Sequence, residues 1–216
     1  GSKSTAVGQS ALALQNFTTA QDTFNTAVGF EAGVNVTTGV ENTLIGGLAG
    51  DAITSGASNV AIGVSALSAH TVGNKTVAIG NQALAVQNFA TDTDSFNVAV
   101  GFQAGKAVTT GVQNTLIGGL AGDSLTDADF NVAIGTSALA TDTLGSRSVA
   151  VGNSALATQN HTTATDVYNT CVGFNAGTSI TDAVRNTIIG GLAGDAITSA
   201  DFNTAVGYGS LSSEIL

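Results

Sequence analysis

The amino-acid sequence predicts an all-β fold, namely a parallel β-solenoid (a β-roll or β-helix) of twelve short coils, which we call rungs. Three observations predict it: a long repeat that occurs three times, a shorter motif that recurs inside it, and a composition that favours strands and turns over helices. The sequence Gly-Gly-Leu-Ala-Gly-Asp occurs at 46–51, 118–123 and 190–195, with equal steps between the three copies. Self-similarity at a fixed period is typical of architectures in which each unit packs only against its neighbours.

The long repeat divides the chain into three equal blocks, 1–72, 73–144 and 145–216, which we predict to form one solenoid domain over 1–216. Within each block the motif Asn-(Thr/Val)-Ala-(Val/Ile)-Gly recurs with small variations, and its glycine returns after one longer step and then three equal, shorter ones. Each block therefore has one long rung and three short ones. The repeats are compatible both with a complete chain and with an excerpt of a longer repeat protein. The motif glycines of rungs 1 to 12 are Gly8, Gly29, Gly46, Gly63, Gly80, Gly101, Gly118, Gly135, Gly152, Gly173, Gly190 and Gly207.

A short rung, such as 30–46, has too few residues for two helices and a turn, and its Gly, Thr, Val and Asn residues favour strands and turns. Parallel strands of neighbouring rungs lie about 4.8 Å apart, so twelve rungs would span about 58 Å. The strand is apolar at successive positions, as in Val60-Ala61-Ile62, which predicts that both of its faces are covered. One face would fill the interior of the coil. The other would meet another copy of the chain, most simply around a threefold axis.

Positions in a rung are numbered here relative to its motif glycine. Position −4 is Asn in nine of the twelve rungs, and Ser4, Thr76 and Ser148 occupy the other three. Stacked Asn side chains at a turn can bond the backbone of neighbouring rungs, so this column predicts a structural ladder. Its members are Asn25, Asn42, Asn59, Asn97, Asn114, Asn131, Asn169, Asn186 and Asn203.

Charge and cysteine content exclude several classes of function. The formal net charge is −10, from five basic and fifteen acidic residues, which argues against binding to nucleic acid or to an anionic membrane surface. No apolar stretch is long enough for insertion into a membrane. Cys171 is the one cysteine, so an internal disulfide and a cysteine-based metal site are excluded. We predict no cofactor and no bound metal.

Two nonapeptides resemble a known kind of repeat. Asn-Thr-Ala-Val-Gly-Phe-Glu-Ala-Gly at 25–33 and Asn-Val-Ala-Ile-Gly-Val-Ser-Ala-Leu at 59–67 resemble the head repeats of trimeric autotransporter adhesins and the repeats of tail-fibre and structural proteins of marine bacteriophages. The resemblance covers the whole chain, rung by rung. For the adhesin heads the resemblance implies a left-handed parallel β-roll, three chains side by side, and an extracellular binding role. We predict an extracellular location, on a cell surface or virion. The rungs here are longer than those of adhesin heads, and the spacing of the short rungs is closer to that of the phage repeats.

The function that we predict is therefore a structural or adhesive fibre component, the shaft or head of a surface adhesin or phage tail fibre, without catalytic activity. Its main partner would be the chain itself, as a homotrimer or an end-to-end polymer, with a cell-surface glycan or protein receptor in addition. A self-assembling extracellular filament subunit and a sugar-binding module are the alternatives. Ice binding is less favoured, because the rungs carry one column of Thr at position +8, as at Thr37 and Thr54, where a flat ice-binding surface needs two.

Few residues suggest chemistry. His70 and His161 have no second histidine and no nucleophile beside them in the sequence. The glycine-rich 46–51 lacks the Lys of a phosphate-binding loop and predicts close packing of rungs instead. Asp51, Asp123 and Asp195 share a column but would be about 19 Å apart. They cannot share one calcium ion, although each could hold one with help from loop carbonyls.

The loops of the long rungs are the best candidates for ligand contact. Their four extra residues fall within 15–24, 87–96 and 159–168, and these segments differ more among blocks than the strands do. Binding residues are commonly carried by loops on a rigid scaffold. The candidate contact residues are Phe17, Gln21, Asp22, Phe89, Asp92, Asp94, His161, Thr165 and Asp166.

Overall fold

The structure, a computed structural model, describes residues 3–212. The predicted parallel β-solenoid is confirmed: within residues 3–212 the chain forms strands and turns, without a helix. One twelve-stranded parallel sheet takes one short strand from every rung. In sheet order its strands are β1 Thr5–Val7, β2 Thr26–Val28, β3 Thr43–Ile45, β4 Val60–Ile62, β6 Val77–Ile79, β8 Val98–Val100, β9 Thr115–Ile117, β10 Val132–Ile134, β12 Val149–Val151, β14 Thr170–Val172, β15 Thr187–Ile189 and β16 Thr204–Val206.

Neighbouring strands pair at identical positions of their rungs, so that Thr26 lies beside Thr43 and Val28 beside Ile45. Two small parallel sheets lie beside the long loops. In one, β5 (Gly73–Asn74) pairs with β7 (Thr93–Asp94), and in the other β11 (Gly145–Ser146) pairs with β13 (Thr165–Asp166). Backbone bonds therefore hold part of the extra segment of these two long rungs against the rest of the stack.

The motif glycine ends each strand and sets the approach of one rung to the next. Gly118 has a φ of 136°, and a Cβ built on it would lie 2.5 Å from the carbonyl carbon and oxygen of Gly135. Side chains of L-residues rarely adopt this backbone conformation. Both the φ angle and the short distance to the next rung therefore require glycine at this position.

Columns of small apolar side chains fill the interior. In rungs 2 to 11 the residue at the centre of the strand and the alanine at position +3 are fully buried, as at Ala99 and Ala104. Once in each block the strand centre is larger, and glycines beside it provide the space. A Cβ on Gly122 would lie 2.8 Å from Cδ2 of Leu116. Large and small side chains thus alternate along the stack, which keeps the interior close-packed. The three large residues are Leu44, Leu116 and Ile188.

The turns place non-glycine residues in the left-handed region of backbone conformation. Position −5 has a φ between 50° and 66° in all twelve rungs, although none of these residues is glycine. Each such residue costs about 1–2 kcal/mol relative to ordinary conformations. Backbone bonds between rungs hold the turns: the N–H of Gln113 donates to the carbonyl of Ser95 at 2.7 Å, and that of Glu41 donates to the carbonyl of Thr23 at 2.7 Å.

Candidate functional site

The outward surface of the large sheet is the candidate functional site. In rungs 2 to 12 the middle residue of the strand is buried, and the residues at −3 and −1 flank it on the outside. We call the columns at −3, −1 and +1 the strand face. Position −1 is Val or Ile in every rung, and position −3 is Thr or Val. No position of the strand face carries a charged residue, so the net charge of −10 lies entirely elsewhere.

The strand face leaves large apolar side chains in contact with solvent. Ile117 and Ile134 are each 37% exposed, and Phe102 is 55% exposed. With strands about 4.8 Å apart and residues about 3.3 Å apart along a strand, the face measures about 58 Å by about 13 Å, or about 750 Å². Monomeric soluble proteins rarely expose a contiguous apolar patch of more than a few hundred Å². The strand face therefore has the chemistry of an interface.

Aromatic residues flank the strand face at both edges, and they do so in the same rungs. Position +1 is aromatic in rungs 2, 6, 10 and 12, and position −5 is aromatic in each of these rungs as well. All eight rings are exposed to solvent. The four pairs, written −5 first, are Phe24 with Phe30, Phe96 with Phe102, Tyr168 with Phe174, and Phe202 with Tyr208.

The −5 column also contains four of the five basic residues of the chain. Arg147 lies between two aromatic rings, with its Cζ 4.6 Å from the centroid of Phe130 and 6.0 Å from that of Tyr168. Arg185 lies 5.5 Å from the ring of Phe202. Lysines contact Phe24 and Phe96 in the same way, at 5.3 Å and 5.2 Å. These cation–π contacts stack the edge column along the axis of the solenoid.

The long loops contribute acidic residues to this edge. Lys3 pairs with Asp22, Lys75 with Asp94 and Arg147 with Asp166, one ion pair in each block. Because both partners are exposed to solvent, water and salt screen these pairs and they contribute little to stability. Three of the predicted contact residues thus bind cations of their own chain.

The other predicted contact residues lie in different environments. Phe89 is 6% exposed and His161 is 7% exposed, so both rings point into the stack, and Phe17 is half-buried. Gln21 is at the surface, and Asp92 accepts a hydrogen bond there from the Asn74 amide. The Thr165 hydroxyl donates to the Thr163 carbonyl at 2.9 Å. The structure therefore does not gather these nine residues into one site, and their contact with a ligand stays a prediction.

A buried polar cluster joins blocks 2 and 3. The amide of Gln159 donates hydrogen bonds to the Asp142 carboxylate and to the Ser148 hydroxyl. The backbone N–H of His161 donates to Asp142 at 2.9 Å, and the Nδ1 atom of His161 lies 3.7 Å from Oδ2 of Asp142. Burial alone would raise the pKa of Asp142, but Gln159 and His161 together lower it. Burial would likewise lower the pKa of His161, and the carboxylate beside it raises this pKa above the ordinary 6.5.

The matching junction of blocks 1 and 2 has different chemistry. His70 and Gln87 take the places of Asp142 and Gln159, and both are fully buried. The ring of Phe89 packs edge-on against the His70 ring, with centroids 6.0 Å apart. Burial lowers the pKa of His70, so the imidazole is neutral at pH 7. The two junctions occupy equivalent places in the repeat, and one holds a carboxyl–imidazole pair where the other holds an aromatic contact.

The asparagine column forms a hydrogen-bonded ladder inside the stack. The side-chain oxygen of Asn97 accepts from the backbone N–H of Asn114 at 2.8 Å, and that of Asn114 accepts from Asn131 at 2.9 Å. The side-chain amide of Asn114 donates to the carbonyl of Ala128 at 2.7 Å. The ladder runs from Asn25, Asn97 and Asn169, so it starts again in each block.

The Thr column at +8 has a structural role, whereas no role is assigned to the column of Asp51, Asp123 and Asp195. Five Thr hydroxyls at +8 donate to the Thr carbonyl of the next rung, as Thr126 does to Thr143 at 3.0 Å. Thr71 and Thr143 donate instead to the long rung that follows them. Burial raises the pKa values of Asp51 and Asp123. Among residues 3–212, no group of three or more His, Cys, Asp or Glu side chains is placed to hold a metal ion.

The comparisons with known proteins give no family for this chain: no protein-family model matches it, and neither a curated protein nor a solved structure matches it significantly. In the described part of the chain, no helix is long and apolar enough to cross a membrane. The geometry of the molecule is therefore the basis on which its function is proposed.

The edge columns are the feature that sequence analysis missed. The Val or Ile of the motif is evident from the sequence, but the sequence analysis does not single out the aromatic and basic residues at −5. A comparison of positions −5 and +1 within each rung would have found the four coincident aromatic pairs. That comparison requires the exact first and last residues of each strand, because positions −5 and +1 both lie outside the strand.

Proposed function

We propose that the chain is a non-catalytic structural or adhesive component of an extracellular fibre, on a cell surface or a virion, in which three copies pack side by side through the strand face. The strand face is the observation that carries this proposal. It is an uncharged surface of about 750 Å² in an acidic chain, and within residues 3–212 its large apolar side chains stay exposed. Specific interfaces bury about 800 Å² per partner, which is close to this area.

The resemblance of the rung motif to adhesin-head and phage-fibre repeats supports the same assembly. The likeness to adhesin heads implies three chains side by side and an extracellular location. The parallel solenoid of twelve rungs is the architecture that the resemblance implies, although the rungs here are longer than those of adhesin heads. A chain of this design supplies reach, because backbone bonds join every rung to the next over about 58 Å. Repeated weak contacts with a glycan or protein receptor would then add through avidity.

Apolar burial would favour assembly. Packing of two copies through the strand face removes exposed Val, Ile and aromatic side chains from water. It desolvates no charge within the strand face, because these columns carry no charged residue.

The mass of the chain in solution tests the proposal. Light scattering after size exclusion is expected to give three times the mass of 21.1 kDa. The double variant Ile117→Lys and Ile134→Lys places two charges at the centre of the strand face, where both side chains are 37% exposed, and is expected to give monomers. The matched control, Thr38→Lys and Ser199→Lys, adds the same charge at exposed positions outside the strand face and should keep the assembly.

Two results would count against the proposal. A monomeric mass for the unaltered chain at high concentration would remove its basis. A mass that grows without limit with concentration, and persists in the Ile117→Lys and Ile134→Lys variant, would favour an end-to-end filament over a side-by-side trimer.

A further inference from the structure

We propose that the aromatic residues at the two edges of the strand face pair between neighbouring copies, rung for rung, and so hold the copies parallel and in register. This inference rests on the proposed side-by-side assembly and adds its register and its contact residues. The occupant of the strand face is a second copy of this chain.

The Val and Ile column cannot set the register by itself. It is nearly identical in every rung, so two copies could slip by one rung, about 4.8 Å, and lose little apolar contact. Flat and repetitive strands specify register weakly for this reason. The register must therefore be set by columns whose residues change along the axis of the solenoid. The two edge columns, at positions −5 and +1, change in this way.

The edge columns match each other when copies lie parallel at equal height. In a ring of copies each contact is made by two different surfaces, so the +1 edge of one copy meets the −5 edge of its neighbour. Without slippage, identical rungs face each other. Each of the four aromatic residues at +1 then meets an aromatic residue at −5, and a shift of one rung in either direction breaks all four matches. Exposed rings that meet in this way pack in offset or edge-to-face pairs.

In rung 12, the coincidence of aromatic residues at −5 and +1 does not follow from the long repeat alone. The fourth rung of a block has Ser58 with Val64 in block 1, and Phe130 with Thr136 in block 2. Only in block 3 is its +1 residue aromatic, at Tyr208, and there the −5 residue is aromatic too. The two edges are therefore both aromatic at a position where the blocks differ.

The basic residues of the −5 column fit the same arrangement. In rungs 1, 5 and 9 the residue at −5 is Lys or Arg, and the residue at +1 of the same rung is Gln or Asn. An amide oxygen accepts hydrogen bonds from a cation, and no basic or acidic residue stands at +1 in any rung. Registered assembly therefore brings no like charges together across this edge.

Engineered disulfides test the register. Phe96 and Phe102 are 52% and 55% exposed and lie at opposite edges of one rung, beyond the two ends of the strand Val98–Val100. The strand and the residue on either side of it span about 13 Å. A disulfide needs Cα atoms within about 7 Å, so the double variant Phe96→Cys and Phe102→Cys cannot close within one copy. Under a mild oxidant such as diamide, this variant is expected to form a covalent trimer on denaturing gels. Each single variant should form no covalent oligomer.

The matched control is Phe96→Cys with Thr136→Cys, which joins the same −5 site to the exposed +1 site two rungs away, about 9.6 Å in height. It is expected to stay uncrosslinked. Cys171 is buried and its thiol has a pKa raised to about 12, so it takes no part. The equivalent double variant Tyr168→Cys and Phe174→Cys repeats the test in rung 10 if the first variant folds poorly by circular dichroism.

The outcomes separate this inference from the proposed function. A monomeric mass for the unaltered chain overturns both. An assembly that crosslinks through the control pair, or through neither pair, overturns the register and leaves the fibre proposal standing. A covalent dimer in place of a trimer supports the paired edges and overturns the threefold symmetry.

Discussion

Two adjacent glycines offer a sharp test of how the rungs are held. Gly118 is a motif glycine with a φ of 136°, whereas Gly119 has an ordinary φ and only one backbone atom, the Phe102 oxygen at 4.0 Å, near the place of a Cβ. The variants Gly118→Ala and Gly119→Ala add the same methyl group to neighbouring residues. We expect them to change stability in opposite ways.

The cost of Gly118→Ala has two parts. An L-residue in this region of φ costs about 1–3 kcal/mol. The new Cβ would lie 2.5 Å from the carbonyl of Gly135, so these two rungs must separate and weaken the bonds from Gly135 N–H to the Ile117 carbonyl and from Ser137 N–H to the Gly119 carbonyl, now 2.7 Å and 3.0 Å. Each of these is worth about 1 kcal/mol. The total is about 3–5 kcal/mol. Gly119→Ala should instead be neutral or stabilising by up to about 1 kcal/mol, because it restricts the unfolded chain.

Urea unfolding followed by circular dichroism measures both free energies of unfolding. The assay is best run on the monomeric Ile117→Lys and Ile134→Lys background, because position +1 belongs to the strand face and assembly would add its own contribution. Equal losses of stability in the two variants would refute the reasoning. So would a loss below about 1 kcal/mol for Gly118→Ala, since it would mean that the rung spacing can relax freely.

Three further predictions concern the interior. Asn114→Ala should lower the free energy of unfolding by about 2–4 kcal/mol, because it leaves a buried N–H and a buried carbonyl unpaired, as urea titration would show; an unchanged midpoint would contradict the ladder. Asp142 and His161 should stabilise the fold most between their two pKa values. The pKa of Asp142 is lowered from 3.8, so its contribution is lost as the pH falls through the lowered value. The pKa of His161 is raised from 6.5, so its contribution is lost as the pH rises through the raised value. Asp142→Asn should flatten this profile of unfolding midpoint against pH, and an identical profile in the variant would exclude the pair as its source. The Cys171 thiol, with its pKa raised to about 12, should react with a maleimide only on unfolding, so rapid labelling of the native chain would show an open interior.

The sequence predicted the architecture because the repeats constrain it strongly. Glycine at fixed steps, a Val or Ile directly before it and an Asn at position −4 define strand, end and turn of each rung. The structure confirms the parallel solenoid and its twelve strands in register. Such short steps between glycines admit few other folds, since each unit is too short to bury a core alone.

The sequence did not predict which side chains of the long loops point into the stack. Phe89 and His161 were predicted as candidate surface contacts, and the structure buries both. Sequence spacing gives the length of an insertion but not which of its residues turn inward, because that depends on the space left by the neighbouring rung. His70 and Asp142 supply that environment from the rung before, and the two differ in size and charge.

The physical unit of this molecule is the block of four rungs, and excision of segments tests this. In each block one large side chain at a strand centre fills the space beside a glycine, as Leu116 does beside Gly122. The asparagine ladder also begins again in each block. Excision of 64–135, one whole period of the long repeat, joins Gly63 to Thr136 with every column in phase. It also retains the Asp142 junction. The shortened chain should therefore fold with an unchanged dichroism signal per residue.

Excision of 102–118 removes only one short rung but takes Leu116 away and leaves Gly122 opposite an alanine of the preceding rung. A leucine-sized void in a packed core costs about 2–5 kcal/mol. The edge aromatics after the cut also move out of phase with those before it. The smaller deletion should therefore lower the free energy of unfolding per remaining rung more than the larger one. If both chains had equal stability per rung, each rung would be an independent unit and the four-rung period would have no energetic role.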